Sequence, residues 1–215
     1  ILFGTINGLI VTRLGVPALL ATLGTLVTYR GIVQEFMQGD YHVGFPAPIV
    51  YLGQGMVGPV PVPVIIALTV AGLGSLLLRF TRFGRYCTAI GGNEDAARLA
   101  GINVNRWKTI IFAFQGLLVG LGGLMLMGRL NAAHPSIGQG MELHVIAGVV
   151  LGGTSLFGGK GSIVGTVLGM LLIGVLENGL LLAGLGFFWQ QIFLGLLIIF
   201  AVSVQISRQK ASTRI

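Results

Sequence analysis

Long apolar runs almost free of charge recur along this sequence, and one of them, Thr109 to Gly128, has the ~20 residues a helix needs to cross a hydrocarbon core. Runs of this kind suit either the interior of a large soluble domain or a lipid bilayer. Charge decides between the two. Only 9% of the residues are charged and the mean hydropathy is +0.92, whereas a soluble domain needs roughly 25% charged residues to cover its surface. The 36 glycines lie inside apolar runs with no three-residue period, as small residues do where transmembrane helices approach closely. The expected fold class is all-α, a polytopic transmembrane helix bundle forming one domain over residues 1–215.

In chain order, Ile1 to Val11 is half the length of a span and reads as the tail of one. The chain begins at Ile1 in mid-apolar sequence, so a longer N-terminus is expected before it, and the full span count stays open. Arg13 then marks the cytoplasmic side. Val16 to Val33 reads as the first complete span, entered through Pro17, with Arg30 snorkelling to the headgroups near its far end. Gln34 to Pro63, with Glu35, Asp40, five prolines and no Lys or Arg, reads as an outer loop. Further spans are expected at Val64 to Leu78, Thr109 to Gly128, Ile163 to Ala183 and Phe188 to Ile206.

The largely apolar run of 13 residues from Val145 to Phe157 suits either a re-entrant element or a short crossing. Charge parity separates these. A crossing places Lys160 and the tail residues Arg208, Lys210 and Arg214 on the side of the basic interval Arg79 to Lys108, as the positive-inside rule asks. A short, tilted crossing is therefore expected, giving six complete spans plus one partial span.

Arg79 to Lys108 is the only long polar interval between segments built for lipid, and it holds six of the 13 basic residues. A cap-helix-cap unit lies in its middle. Asn93 is a good N-cap, Glu94 and Asp95 place negative charge where the helix dipole is positive, and Gly101 can take the left-handed position that ends a helix. A two-turn helix is expected at Glu94 to Ala100. Alone it would be marginal, so a separate partner is expected to hold it.

The glycine run Gly152 to Ser162 invites a nucleotide-binding reading, but the spacing refuses it. A phosphate loop needs glycine six positions before Lys160, where Thr154 stands, and Ser or Thr directly after it, where Gly161 stands. A tight inter-helix turn is expected instead, and no ATP hydrolysis by this chain. Gly116 with Gly120, and the ladder Gly161, Gly165 and Gly169, read as helix-packing positions. Polar groups in or near spans are Gln115, Asn131, Glu142, Glu177, Asn178, Gln190 and Gln191. Such groups face a bundle interior, an aqueous path or a neighbouring helix. They are candidate path residues, with helix-to-helix hydrogen bonding an equally good reading of each.

A proton relay needs ionisable groups in series, and only Glu177 falls within an expected span. Trp107, Trp189, Phe187 and Phe188 sit at expected membrane boundaries as belt anchors. One cysteine, Cys87, and the scattered histidines His42, His134 and His144 offer no metal-ligand spacing. No catalytic constellation and no cofactor are expected. The net charge of +7 gathers at the ends of apolar segments, which is membrane orientation and not a nucleic-acid surface.

These residues carry a family resemblance. Phe83 to Val104, FGRYCTAIGGNEDAARLAGINV, resembles the cytoplasmic loop of ABC importer permeases of the ribose and branched-chain amino acid group. Within it Asp95 to Gly101 is similar to the EAA-x-x-x-G signature of import permeases, with Asp in place of the first Glu. Val16 to Thr25, Val150 to Ser162 and Phe188 to Gln191 extend the likeness over nearly the whole chain, in wording nearest the monosaccharide permeases of ribose or autoinducer-2 type. The resemblance implies a dimer of permease subunits in the inner membrane, two ATP-binding subunits below and a solute-binding protein outside. It implies that residues 79–108 form a coupling loop in which Gly92, Asn93, Glu94, Asp95, Ala96, Ala97, Arg98 and Gly101 engage the ATPase. Ala96 and Ala97 would permit close docking. A branched-chain amino acid permease, and less readily an ion-coupled carrier working alone, stay open as alternatives.

Overall fold

The computed structural model describes residues 1–156 and 158–212, with side chains described to residue 206. Arg214 of the expected basic tail and Phe157 lie outside the described residues, as do the side chains of Arg208 and Lys210. The order is α1 (Leu2–Arg13), α2 (Ala18–Met37), β1 (His42–Val43), α3 (Ala47–Gln54), β2 (Met56–Val57), β3 (Val60–Pro61), α4 (Val62–Phe80), α5 (Arg82–Gly92), α6 (Glu94–Leu99), α7 (Val104–Leu130), β4 (Ala132–Ala133), α8 (Met141–Leu151), α9 (Ile163–Leu182) and α10 (Phe187–Ser212). The only strands among the described residues are these two-residue pieces, so the chain is an all-α membrane protein.

Among the described residues four helices are both long and apolar enough to cross a membrane: α4, α7, α9 and α10 to Ile206. At most 11% of the most apolar stretch of any of them is buried within the chain. Apolar helices so uncovered need lipid around them. The expected count of six spans plus one is not reproduced, for two physical reasons. Helix α2 has the length, but Arg30, Gln34 and Glu35 dilute its second half. Helix α8 starts before the Val145 to Phe157 run and stops at Leu151, and its 11 residues rise only about 16 Å, half of a ~30 Å core.

By contact the chain resolves into two compact units, Ile1–Val70 with Asp95–Ile137, and Ala71–Glu94 with Gly138–Ile215. In the first, α1 lies antiparallel on α7. Gly4 faces Gly116 and Phe112, Gly8 faces Thr109, and the Thr12 and Thr109 hydroxyls meet at 3.3 Å. Helix α3 packs on the other end of α7 through Gly53 and Gly128, where a methyl group on either would overlap backbone of the other helix. The Gln54 amide donates to the Arg129 carbonyl at 3.0 Å. Strand β1 pairs with β4, and β2 with β3.

In the second unit α8 and α9 form an antiparallel hairpin, with Ala147 and Ile173 buried alongside Leu194 of α10. Backbone meets backbone here. Methyl groups at Gly152 and Gly165 would each run into the other's carbonyl, and one at Gly169 into that of Gly148. Ser162 caps α9, its hydroxyl accepting from the Gly165 N–H at 3.2 Å.

Gly165→Leu is expected to push α8 and α9 apart, costing about 1–3 kcal/mol of overpacking and lowering the melting temperature of the detergent-solubilised protein by roughly 2–10 °C. Gly174→Leu on the same helix, where an added Cβ meets nothing within 4 Å, is expected to leave it unchanged.

Candidate functional site

The basic interval folds as two helices joined at Asn93. Helix α5, not expected from the sequence, carries Arg82 and Arg85 and ends where the Asn93 N–H donates to Ala89 O at 3.1 Å. Asn93 itself is extended, with φ −157° and ψ 109°, the backbone an N-cap residue adopts. Helix α6 follows at Glu94–Leu99, one residue shorter than expected. It ends in a Schellman turn: the Ile102 N–H donates to Ala97 O and the Gly101 N–H to Arg98 O, each at 3.1 Å, with Gly101 at φ +81°. That backbone favours glycine.

On α6 the positions divide by face. Ala97 is 5% exposed and turned into the chain, with Val104 buried nearby in sequence at 2%. Ala96 is exposed, so the two alanines do not share a face. Glu94 is half-buried, and Gly92, Asn93, Asp95, Arg98 and Gly101 are exposed. The most exposed large apolar side chain of the interval is Leu99, at 91%. Sequence reading missed Leu99, although its spacing shows it: three and four residues after Ala96 and Asp95, it completes their face.

The described residues of the run Gly152 to Ser162 turn the chain between α8 and α9, with Gly153, Gly158 and Gly159 at positive φ. Gly158 and Gly159 lie so close to Gly91 and Gly92 of α5 that a methyl group on Gly91, Gly158 or Gly159 would press on the facing backbone. This second contact of the α5 end was invisible in sequence, since 66 positions separate Gly92 from Gly158 (158 − 92). Of the expected packing glycines, Gly116, Gly165 and Gly169 lie against backbone. Gly161 precedes α9 and faces the Thr154 side chain, and Gly120 meets nothing within 4 Å.

The polar candidates scatter. In the first unit Gln115 is exposed on α7. Asn131 caps that helix with φ 48°, and its side-chain oxygen accepts from the Phe45 N–H at 3.1 Å, a brace for the loop before α3. Nearby, His134 stacks on Tyr41 with centroids 4.2 Å apart and reaches Gly39 O at 3.2 Å.

In the second unit Glu142 sits in the first turn of α8, where negative charge suits the dipole. Asn178 and Gln191 are exposed, whereas Glu177 and Gln190 line one small cavity with Ile173 and Leu194. Glu177 also meets His144 of α8, Oε1 to Nε2 at 2.8 Å, each side chain about one-third exposed. His144 Nδ1 lies 3.0 Å from Gly140 O. A carbonyl oxygen only accepts, so in this contact Nδ1 is the donor. Cys87 is half-buried on α5, and burial pushes its thiol up from the ordinary value.

The two partners of the α8–α9 tie should depend on each other. In a cycle of His144→Gln, Glu177→Gln and the double variant, unfolding in mixed micelles is expected to show a coupling of about 0.6–1.7 kcal/mol, the range of interhelical hydrogen bonds in membranes. Additive effects would mean that the contact stabilises nothing.

A family model described as branched-chain amino acid transport system / permease component matches residues 1–202. Among known proteins the chain is similar to the ribose import permease protein RbsC of Escherichia coli strain K12, 43% identical over 210 residues that cover 96% of this chain and 65% of that protein. It is also similar to RbsC of Bacillus subtilis strain 168, 42% identical over 91% of this chain and 62% of that protein. The D-allose transport system permease protein AlsC of Escherichia coli strain K12 is 38% identical over 94% of this chain and 62% of that protein. The chain thus spans a little under two thirds of the length of these relatives. No solved structure matches. With a helix-rich, lipid-facing fold and a family match over nearly its whole length, the chain belongs to the branched-chain amino acid transport system / permease component family.

Proposed function

We propose that this chain is the membrane-spanning permease subunit of an ATP-driven ABC importer in a bacterial inner membrane, and that its solute is a monosaccharide. The observation that carries the reading is α6: a six-residue helix with Leu99 turned outward at 91% exposure. So short a helix does not hold itself, and an exposed apolar knob beside Asp95 and Ala96 suits a groove on another protein. In this reading α6 is the coupling helix. Gly92, Asn93, Glu94, Asp95, Ala96, Arg98 and Gly101 flank or form its contact with a separate ATP-binding subunit, and Ala97 anchors it from behind.

The remaining partners are a second permease subunit and an extracytoplasmic solute-binding protein. Solute passes between the two permease copies as ATP binding shifts the complex between inward-open and outward-open arrangements. This chain supplies path and lever, and no bond is made or broken on it. Gln115, Asn131, Glu142, Glu177 and Asn178 stay candidate path residues. A sugar is favoured over an amino acid because relatives in the family are ribose, xylose and allose permeases by name.

Six crossings and a partial one remain the topology proposed, with the 79–108 loop and the C-terminus cytoplasmic. Helix α2 adds a crossing to the four span-length helices, and α8 with its flanking loops makes the sixth. The contact of Gly158 and Gly159 with Gly91 and Gly92 supports a common side for Lys160 and the basic interval.

In proteoliposomes holding the full-length permease, its ATPase and its binding protein, Asp95→Arg with Leu99→Asp is expected to cut ATP-driven sugar uptake about tenfold or more, the effect of losing an interface hot spot. Insertion of the permease should not change. Uptake at the wild-type rate would overturn the assignment of α6. Uptake by the permease alone, driven by an ion gradient without ATP, would overturn the ABC reading.

A further inference from the structure

Within the second unit a cavity of about 660 Å³ opens between the C-terminal end of α4, helix α5, the glycine turn and the start of α9. That volume lies in the ordinary range of ligand sites. Arg79 and Lys160 line it together with Thr88 and Ser162, and Leu78 and Val164 supply apolar wall. No Asp or Glu lines it among the described residues. The Ser162 hydroxyl accepts from the Gly165 N–H and keeps its own hydrogen for donation. Two cations and the Ser162 hydroxyl beside apolar walls match a phosphodiester carrying acyl chains.

Location selects the source. Arg79 lies at the end of one span-length helix and Lys160 just before the start of another, which is headgroup depth in a bilayer. Basic pockets between transmembrane helices at the anionic cytoplasmic leaflet hold acidic lipid headgroups. We propose that this cavity binds the headgroup of an anionic phospholipid, with Arg79 and Lys160 on the phosphate and the acyl chains along Leu78 and Val164. The lipid thereby braces the turn whose Gly158 and Gly159 lie against α5. The site depends on the membrane setting of α4 and α9 and not on the role proposed for α6.

The test uses the full-length permease in nanodiscs of phosphatidylcholine with increasing phosphatidylglycerol. Lipid retained after extraction is read by native mass spectrometry, and maleimide labelling of Cys87, which also lines the cavity, is followed in parallel. The wild type should retain phosphatidylglycerol over phosphatidylcholine and label more slowly as phosphatidylglycerol rises. Arg79→Gln with Lys160→Gln should weaken retention about 30-fold, a factor of roughly five for each lost charge, whereas Arg82→Gln with Arg85→Gln, outside the cavity, should not. Lys160→Gln alone, on an exposed turn, should weaken retention about fivefold if the double variant does not fold.

Equal retention of the two lipids, or equal loss in both double variants, would overturn the site. So would protection of Cys87 by millimolar inorganic phosphate in pure phosphatidylcholine, which would make this a soluble-anion site. Loss of ATPase association with unchanged lipid retention would make it a protein contact and likewise overturn the proposal.

Discussion

Hydrocarbon solvates leucine as well as another helix does, so apolar burial cannot hold helices together in a bilayer. What holds them here is backbone laid directly on backbone where glycine removes the side chain. Gly152 with Gly165 and Gly148 with Gly169 close the α8–α9 hairpin, and Gly4 with Gly116 and Gly53 with Gly128 set α1 and α3 on α7. The polar geometry follows from these contacts. The register that brings Gly148 to Gly169 also brings His144 to Glu177, about one turn earlier on α8 and two turns later on α9. Contact through glycine is short-ranged and shape-specific, which lets sparsely packed helices keep one register.

What the sequence revealed about the fold was whatever a local rule governs. The apolar runs at α4, α7, α9 and α10 follow from composition and length, and the end of α6 from Asn93 and Gly101, whose backbones take the forms their residue types favour. Less local features were hidden. Helix α5 is rich in arginine and glycine, and its order comes from packing, with Gly84 and Ile90 buried. Helix α8 stops at Leu151 because Gly152 must lie on Gly165, a contact that hydropathy does not register. Of the candidate polar groups, sequence singled out Glu177 but gave it no partner, since His144 lies 33 positions away on another helix (177 − 144). Asn131, a candidate path residue, also caps α7 and braces the loop before α3, a role not singled out from sequence because a side chain that fits hydrogen bonding inside a bundle fits a turn equally well.

The turn from Gly152 to Ser162 gains a use once its neighbour is known. Asn93 both ends α5 and precedes α6, so one extended residue links the two helices along the chain. The far side of that junction, Gly91 and Gly92, rests on Gly158 and Gly159 with no side chains between them. A backbone contact without side chains has little give. On the proposed function this makes the glycine turn a second joint of the lever, delivering displacement to the start of α9 directly after it. Glycine is required there for contact with protein backbone, which is why the run looks like a phosphate loop yet lacks its spacing.

The His144–Glu177 pair bears on where the energy of transport originates. An ionisable pair inside a membrane protein suggests proton coupling. A relay, however, needs a next site. Among the described residues of the four span-length helices, Arg79, Arg106, Lys108 and Arg129 stand near helix ends, and Glu177 is the ionisable side chain away from them. Glu142 lies two positions before His144 on α8, and residues so spaced do not share a face. The proton therefore has no series of groups along these helices to pass through. On the proposed function the pair is a tie between α8 and α9, and work on the solute arrives through a moving part, for which the short helix after Asn93 is the proposed point of attachment.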